Sequence, residues 1–192
     1  MHKVSYKEDM NHKRRRELRY VTLIIILLAC LSSCKSSKVY TDASSMRGRT
    51  VSGSLKERYA ALLDVPPSEI SNERLYKFID SWIGVKHQDG GMDKRGTDCS
   101  GFTCILQKEV YDRRTARTAR QMADQVKRKY EEELQEGDLV FFDFSRKFDH
   151  VGIYLKNNRF VHVSTKRGVI ISDLKDSWYY KYFSRGGSVK EQ

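Results

Sequence analysis

The stretch KRGTDCSGFTCILQKEVY, residues Lys94 to Tyr111, decides how the rest of the chain is interpreted. Its first half is polar and contains Gly96, which is typical of a loop, whereas apolar residues at helical spacing follow from Phe102 onward. Cys99 therefore falls where a loop turns into a helix. Unpaired N–H groups and the positive end of the helix dipole favour a thiolate at such a position, and the thiolate is the form that attacks carbonyl carbon. We interpret Cys99 as a candidate nucleophile.

The N-terminal residues have the pattern of a secretory signal. A basic cluster between Lys13 and Arg19 precedes an apolar run from Tyr20 to Leu31, which is shorter than the roughly 20 residues that a transmembrane helix needs. The run ends in Leu-Ser-Ser-Cys, which resembles the bacterial lipobox. That resemblance implies cleavage before Cys34, lipid attachment to Cys34, and anchoring to a membrane without a spanning helix. A signal-anchor helix and cleavage at Cys30 are the alternatives.

The sequence divides into three parts with different composition. Residues 1–33 form the signal, residues 34–54 are rich in Ser, Thr, Gly and Lys and form a flexible tether, and residues 55–188 form the folded domain. The net charge of +11 falls to about +7 without the signal, which contains seven basic and three acidic residues. The remaining positive charge suits attraction to an anionic polymer or surface, and the cell wall, lipid headgroups and nucleic acid all qualify. Export and the lack of any nucleic-acid-binding motif argue against nucleic acid as a partner.

The cysteines of the folded domain do not form a disulfide framework. Cys30 leaves with the signal and Cys34 carries lipid, so Cys99 and Cys104 remain. Five residues apart on one helix, their Cα atoms are roughly 8 Å apart, which exceeds the usual disulfide limit of about 7 Å. We therefore expect two free thiols.

Helical patterns occupy the first part of the domain and strand patterns the last. Ser54 caps a predicted helix from Leu55 to Leu63, and a second helix begins at Ser71 or Asn72. A polar helix is predicted from Ala119 to about Lys129. Short β-branched or aromatic runs then lie at residues 139–142, 151–155, 160–163 and 169–171. Helices followed by an antiparallel meander indicate an α+β fold.

A cysteine nucleophile needs a base within hydrogen-bonding distance, and that base needs a polar group to orient its ring. The folded domain contains three histidines, His87, His150 and His162. A two-residue loop of Asn157 and Asn158 places the last two histidines on opposite faces of their hairpin. A three-residue loop that begins at Lys156 places them diagonally on one face, within side-chain reach.

The apolar pattern of the hairpin favours the same three-residue loop. In that register Gly152 pairs with His162, and one face collects the apolar side chains of Val151, Ile153, Leu155, Val161 and Val163. We predict a type I turn with a bulge and Asn158 in the left-handed conformation. Two unrelated strand histidines, or a zinc ion held by Cys99, His150 and His162 together with water, are the alternatives. We expect no cofactor and no metal.

Four ordered blocks of sequence resemble those of the NlpC-type cell-wall peptidases. The blocks are GTDCSGF at residues 96–102, GDLVFF at 137–142, HVGIY at 150–154 and FVH at 160–162. The resemblance covers about residues 75–183 and implies a papain-like α+β fold, in which the nucleophile helix packs on an antiparallel sheet. It also implies that Cys99 attacks a peptide carbonyl, that His150 acts as base and then acid, and that His162 orients His150. Family substrates are the stem peptides of peptidoglycan.

Finer expectations also follow from the resemblance. Residues 157–171 are similar to lipoprotein murein endopeptidases of the family, which implies cleavage of the cross-link between D-alanine and diaminopimelate at the periplasmic face of an outer membrane. Asp98 and Ser100 match substrate-contacting positions. Arg117 lies in a segment that resembles a recurring Pro-Arg-Thr-Ala motif, here with Ala116 in place of the proline.

His87 departs from the family pattern, because a tyrosine commonly precedes the paired glycines and lines the active site there. An imidazole N–H can still donate a hydrogen bond to substrate, so we keep His87 as a substrate-binding candidate. We expect the chain to act as a monomer. The competing functions are a non-catalytic wall-binding lipoprotein and an amidase or acyltransferase on the same fold.

Overall fold

The computed structural model of the chain describes residues 54–190. The predicted signal (residues 1–33), the predicted lipid attachment site Cys34 and the predicted tether up to residue 53 lie outside the described residues. Within residues 54–190, no helix has both the length and the apolar character needed to cross a membrane.

Residues 54–190 contain five α-helices. They are α1 (Leu55–Leu63), α2 (Glu73–Trp82), α3 (Cys99–Tyr111), α4 (Ala119–Gln125) and α5 (Ser177–Tyr182), with short 3-10 turns at Pro67–Glu69 and Glu131–Glu133. Ser54 caps α1 as predicted: its hydroxyl accepts from the N–H of Glu57, whose carboxylate accepts from the Ser54 N–H. Asn72 caps α2, so the predicted starts of both helices are confirmed.

A six-stranded antiparallel sheet, in the order β3-β8-β4-β5-β6-β7, carries the histidines. Its strands are β3 (Val126–Lys129), β4 (Leu139–Phe142), β5 (His150–Tyr154), β6 (Arg159–Ser164), β7 (Gly168–Asp173) and β8 (Phe183–Val189); β1 (Met92–Asp93) and β2 (Gly96–Thr97) form a separate hairpin. The four predicted strands are confirmed as β4 to β7. The helix predicted to reach Lys129 is wrong beyond Gln125, because residues 126–129 pair with β8 from the C-terminal end of the chain.

The two faces of the sheet bury different clusters. The predicted apolar face of the β5–β6 hairpin packs against the main core, together with side chains of α1, α2 and α3 such as Leu63, Ile79 and Phe102. The opposite face buries a smaller, aromatic cluster that includes Phe142 and Phe160 and is covered by residues of α5. Strand alternation therefore directs the histidine side chains away from the main core and into aromatic surroundings.

The register of the β5–β6 hairpin is the predicted one. Gly152 pairs with His162, and Ile153 pairs with Val161. A Cβ atom on Gly152 would lie 2.7 Å from the Phe160 ring and 3.2 Å from the His162 Cβ. Because glycine has no Cβ atom, residue 152 leaves room for the side chains of Phe160 and His162.

The turn of this hairpin differs from the prediction. Asn157 and Asn158 have φ values of 48° and 60°, so both are left-handed, as in a type I′ turn, and the predicted type I turn is wrong. The bulge is present, because the Leu155 N–H donates to the Arg159 carbonyl at 2.8 Å while the Arg159 N–H donates to the Lys156 carbonyl at 2.9 Å. Type I′ turns match the right-handed twist of the strands, and the Asn157 amide is anchored by two carbonyls at the end of α1.

Candidate active site

Cys99 is the first residue of α3, as the sequence predicts. Asp98 caps the helix, because its carboxylate accepts the N–H of Gly101 at 2.6 Å. Backbone N–H groups of Val151, of Ser100 and of Cys99 itself lie close enough to the Cys99 sulfur to lower the pKa of the thiol. Val151 directly follows His150 in β5, so the end of this strand meets the start of α3 at the thiol.

The protonation state of Cys99 differs from the sequence-based expectation. Burial raises the pKa of the Cys99 thiol above its ordinary value, and the neighbouring Asp98 carboxylate acts in the same direction. The backbone N–H groups at the helix start do lower this pKa, but the net shift is upward. A spontaneous thiolate is therefore not favoured, and Cys99 needs a base that takes its proton.

The two strand histidines form a hydrogen-bonded pair. Nε2 of His150 lies 2.9 Å from Nδ1 of His162, and the two rings are nearly perpendicular, at 85°. His162 is only 2% exposed, and Phe160 stacks on its ring with the centroids 4.8 Å apart. The pairing confirms that the hairpin brings both rings to one face.

Two residues that the sequence analysis did not identify hold the far side of His162. Its Nε2 lies 3.0 Å from the Ser172 hydroxyl and 3.2 Å from the Tyr179 hydroxyl. Ser172 pairs with Phe160 across β6 and β7, so strand alternation from His162 could have found it. Tyr179 lies on α5, a helix that no sequence pattern indicated.

A role for His150 as a base through Nδ1 requires one particular tautomer of each imidazole, and these contacts are compatible with it. If His150 takes a proton on Nδ1, its Nε2 must carry hydrogen and donate to Nδ1 of His162. Neutral His162 then carries its hydrogen on Nε2 and donates to the hydroxyls of Ser172 and Tyr179, which can accept. Each nitrogen of the pair is thereby satisfied, and Nδ1 of His150 is left to accept a proton.

Both imidazoles are neutral at physiological pH. Burial lowers the pKa of His150 to about 4; the Asp149 carboxylate opposes this shift, whereas His87 adds to it. Burial and then the charge of His150 lower the pKa of His162 as well. General-base catalysis requires such a neutral imidazole, and β5 brings the residue that follows His150, Val151, to the Cys99 thiol.

The residues predicted to contact substrate lie around the start of α3. His87 pairs with Thr97 ahead of the helix, its Nε2 is 3.5 Å from the Asp89 carboxylate, and it lies close enough to His150 to affect its pKa. Arg117 binds Asp98 through two contacts at 2.8 and 3.0 Å and donates to the Ser100 hydroxyl at 2.9 Å. These four side chains therefore share one neighbourhood, and their contact with substrate stays a prediction.

Asp98 connects three segments of this neighbourhood. Besides capping α3 and pairing with Arg117, it accepts the Gly90 N–H at 2.9 Å, which ties the preceding loop to the helix. Burial acts to raise the pKa of Asp98, but Arg117, the Gly101 N–H and the Ser100 hydroxyl outweigh it, so the pKa is lowered. A Cβ atom on Gly101 would lie 2.3 Å from the Gly91 carbonyl oxygen, so only glycine fits there.

The geometry does not favour the zinc alternative. The nitrogens of His150 and His162 that face each other make a hydrogen bond and do not point toward a common ion. No group of three His, Cys, Asp or Glu side chains in the part of the chain that the structure describes is arranged to hold a metal ion. Cys99 and Cys104 are both free thiols, in line with the cysteine spacing.

The buried histidine pair makes the fold sensitive to acid. Between the unfolded pKa of about 6.5 and the folded His150 pKa of about 4, the unfolded chain binds more protons than the folded chain. The stabilisation is therefore complete above about pH 6.5 and is lost as the pH falls through this window. We expect His150 alone to lower the free energy of unfolding, measured in urea, by about 2 kcal/mol from pH 7 to pH 5, and His162, whose pKa is also lowered, to add to this drop. A double His150→Gln, His162→Gln variant should lose most of this dependence, and an unchanged slope would refute the assignment.

Comparison with known proteins identifies the family. The model of the NlpC/P60 family matches residues 84–187, which is more than half of the chain. The chain is 34% identical over 120 residues to the probable endopeptidase NlpC homolog of Haemophilus influenzae, which covers 62% of this chain and 64% of that relative. It is 28% identical over 174 residues to the murein DD-endopeptidase MepS/murein LD-carboxypeptidase of Escherichia coli, which covers 91% of this chain and 92% of that relative.

A solved structure shows the same fold. A crystal structure of an NlpC/P60 family protein from Bacillus cereus superimposes with a TM-score of 0.57 at 24% identity, over 62% of this chain and 40% of that one. This likeness confirms the predicted papain-like α+β fold. The match of the family model over more than half of the chain shows that the chain belongs to the NlpC/P60 family.

Proposed function

We propose that the chain is a peptidoglycan endopeptidase that uses Cys99 as nucleophile, His150 as base and His162 as the group that orients His150. The observation that carries this proposal is the 2.9 Å pair of His150 and His162 next to the start of α3. A neutral imidazole that is hydrogen-bonded to His162, on the strand that meets a thiol whose pKa is raised, can serve as the base that the thiol needs.

Acylation begins with the Cys99 thiol and the His150 imidazole, both uncharged. Nδ1 of His150 takes the thiol proton as the sulfur of Cys99 attacks the carbonyl carbon of the scissile peptide bond. The tetrahedral intermediate collapses when the C–N bond breaks, and the His150 imidazolium gives its proton to the leaving amine. His162 keeps accepting the Nε2–H of His150 throughout, so it stabilises the imidazolium without taking its proton.

Deacylation repeats the cycle with water. His150, neutral again, takes a proton from water while the oxygen attacks the thioester carbonyl. The C–S bond then breaks, the carboxylate product leaves, and the proton returns from His150 to the Cys99 sulfur. The sum of both steps is hydrolysis of one amide bond with no external oxidant, reductant or cofactor.

The proposal also includes the peptide bond that is cleaved and the cellular location of the enzyme. The match to MepS covers nearly the whole chain, and that relative's name describes a murein DD-endopeptidase, which supports the cross-link between D-alanine and diaminopimelate as the target. The lipobox-like sequence supports a lipid anchor on Cys34. We propose that this anchor holds the enzyme at the periplasmic face of the outer membrane.

Mass spectrometry of digested peptidoglycan tests the function. Purified sacculi incubated with the wild type should yield muropeptides in which the cross-link is cut, and Cys99→Ala should yield none. Identical products from both preparations would refute a Cys99 peptidase and favour a wall-binding protein. Products with an intact cross-link but a cut between glycan and peptide would reassign the enzyme as an amidase.

The hydroxyls behind His162 should act as positioning groups. Either Ser172 or Tyr179 can accept the Nε2–H, so we expect Ser172→Ala or Tyr179→Phe alone to lower kcat about threefold and both together about tenfold, with KM unchanged. Tyr180→Phe on the same helix removes a half-exposed hydroxyl without this contact and serves as the control. A double variant with the kcat of the control would show that the tautomer does not depend on these hydroxyls.

A further inference from the structure

A groove of about 370 Å³ runs past the nucleophile. It is lined by Cys99 and Ser100 at the start of α3, by the start of α4 with Arg120, and by the loop from Arg146 to Asp149 between β4 and β5. This volume falls within the range of small-molecule sites. Because the reacting sulfur itself lines the groove, whatever part of a substrate lies here is next to the scissile bond.

Three positively charged side chains favour the binding of an anionic ligand in this groove. Arg120, Arg146 and Lys147 all line it, and all three are exposed. None of them forms an ion pair with a carboxylate of residues 54–190, in contrast to Arg117 nearby, which is paired with Asp98. Their charges are therefore available to a ligand.

The acidic groups of the loop are already engaged with the backbone. The Asp149 carboxylate accepts the N–H groups of Phe144, Ser145 and Arg146 at 2.8 to 2.9 Å. The Asp143 carboxylate accepts the Phe148 N–H at 2.7 Å. These contacts hold the loop in one shape, including a left-handed Phe148 with φ of 52°. Asp149 keeps its negative charge, so the charged residues that line the groove, Arg120, Arg146, Lys147 and Asp149, leave it with a net positive charge.

We infer that this groove is a specificity subsite that binds a free carboxylate of the peptide next to the scissile bond. The inference rests on the proposed function, and it adds that the substrate residue next to the scissile bond carries a negative charge. Guanidinium groups bind carboxylates through paired N–H donors, and a preformed loop loses little entropy when it does so. In peptidoglycan that carboxylate belongs to the glutamate or to the diaminopimelate residue of the stem peptide.

Three cross-linked muropeptides distinguish the two sources. One has both carboxylates free, one is amidated at glutamate, and one is amidated at diaminopimelate. We expect one amidation to lower the wild-type kcat/KM about tenfold, and Arg146→Gln with Lys147→Gln to reduce that preference to less than twofold. Lys127→Gln with Arg128→Gln, an equivalent exposed pair on β3 outside the groove, should keep the full preference.

The same substrates separate failure of this inference from failure of the proposed function. Equal cleavage of all three muropeptides by the wild type would overturn the assignment of the subsite but would leave the assignment as a peptidase intact. If the wild type cleaves none, binding of the three muropeptides to Cys99→Ala still decides the question. A tenfold binding preference that the Arg146 and Lys147 substitutions remove would support the subsite, and equal binding would overturn it.

Discussion

Replacement of His150 by glutamine should lower kcat/KM at pH 7 by about 10³-fold. Burial keeps the pKa of Cys99 above its ordinary value, so little thiolate exists at neutral pH without a base. Glutamine can fill the site and make a hydrogen bond, but it cannot take the thiol proton. The measurement is the initial rate on a cross-linked muropeptide, with the melting temperature as a check on folding.

The pH profile shows whether His150 acts as the base. The wild type should lose activity only as the pH falls toward about 4, where His150 becomes protonated. The His150→Gln variant should instead gain activity about tenfold per pH unit on the alkaline side, because direct ionisation of Cys99 then supplies the thiolate. His87→Gln is the matched control and should lose far less at pH 7. Equal losses in the two variants would contradict the assignment of the base.

Replacement of Asp98 by alanine should produce the largest loss of stability, about 3 kcal/mol. The substitution removes the cap of α3, breaks the tie to Gly90 and leaves Arg117 and the Ser100 hydroxyl without their shared acceptor. Arg117 remains partly solvated, so the loss should stay below that of a fully buried ion pair. Urea denaturation at pH 7 measures the change, and kcat/KM should also fall more than tenfold because the start of α3 positions Cys99.

Two variants make this prediction specific. Asp93→Ala removes another aspartate that pairs with an arginine, Arg95, but at an exposed hairpin, and should leave the melting temperature nearly unchanged. Asp98→Asn keeps an oxygen that can cap the helix while removing the charge, so its stability should lie between those of the wild type and Asp98→Ala. An Asp98→Ala variant as stable as Asp93→Ala would show that this network does not hold the helix start.

Local patterns in the sequence were sufficient for much of the site. The change from loop to helical spacing located Cys99 at the start of α3, and strand alternation located His150 and His162 on one face. The type of turn was missed, since an Asn-Asn pair can occupy more than one turn and the choice depends on the twist of the strands. The strand at residues 126–129 was also missed, because its pairing partner β8 lies some 60 residues further along the chain.

The sequence by itself determined which residues are the catalytic candidates, because the order of Cys99, His150 and His162 and their spacing relative to helix and strand periods are local properties. Only the tertiary structure decided how these groups behave. Burial raises the pKa of the thiol and lowers the pKa of the imidazoles, and α5 brings Tyr179 to His162. The folded chain also decides which cations are paired, since Arg117 meets Asp98 while Arg146 faces the groove. Desolvation and pairing depend on what surrounds a group in space, and neither is encoded by the neighbours of that group along the chain.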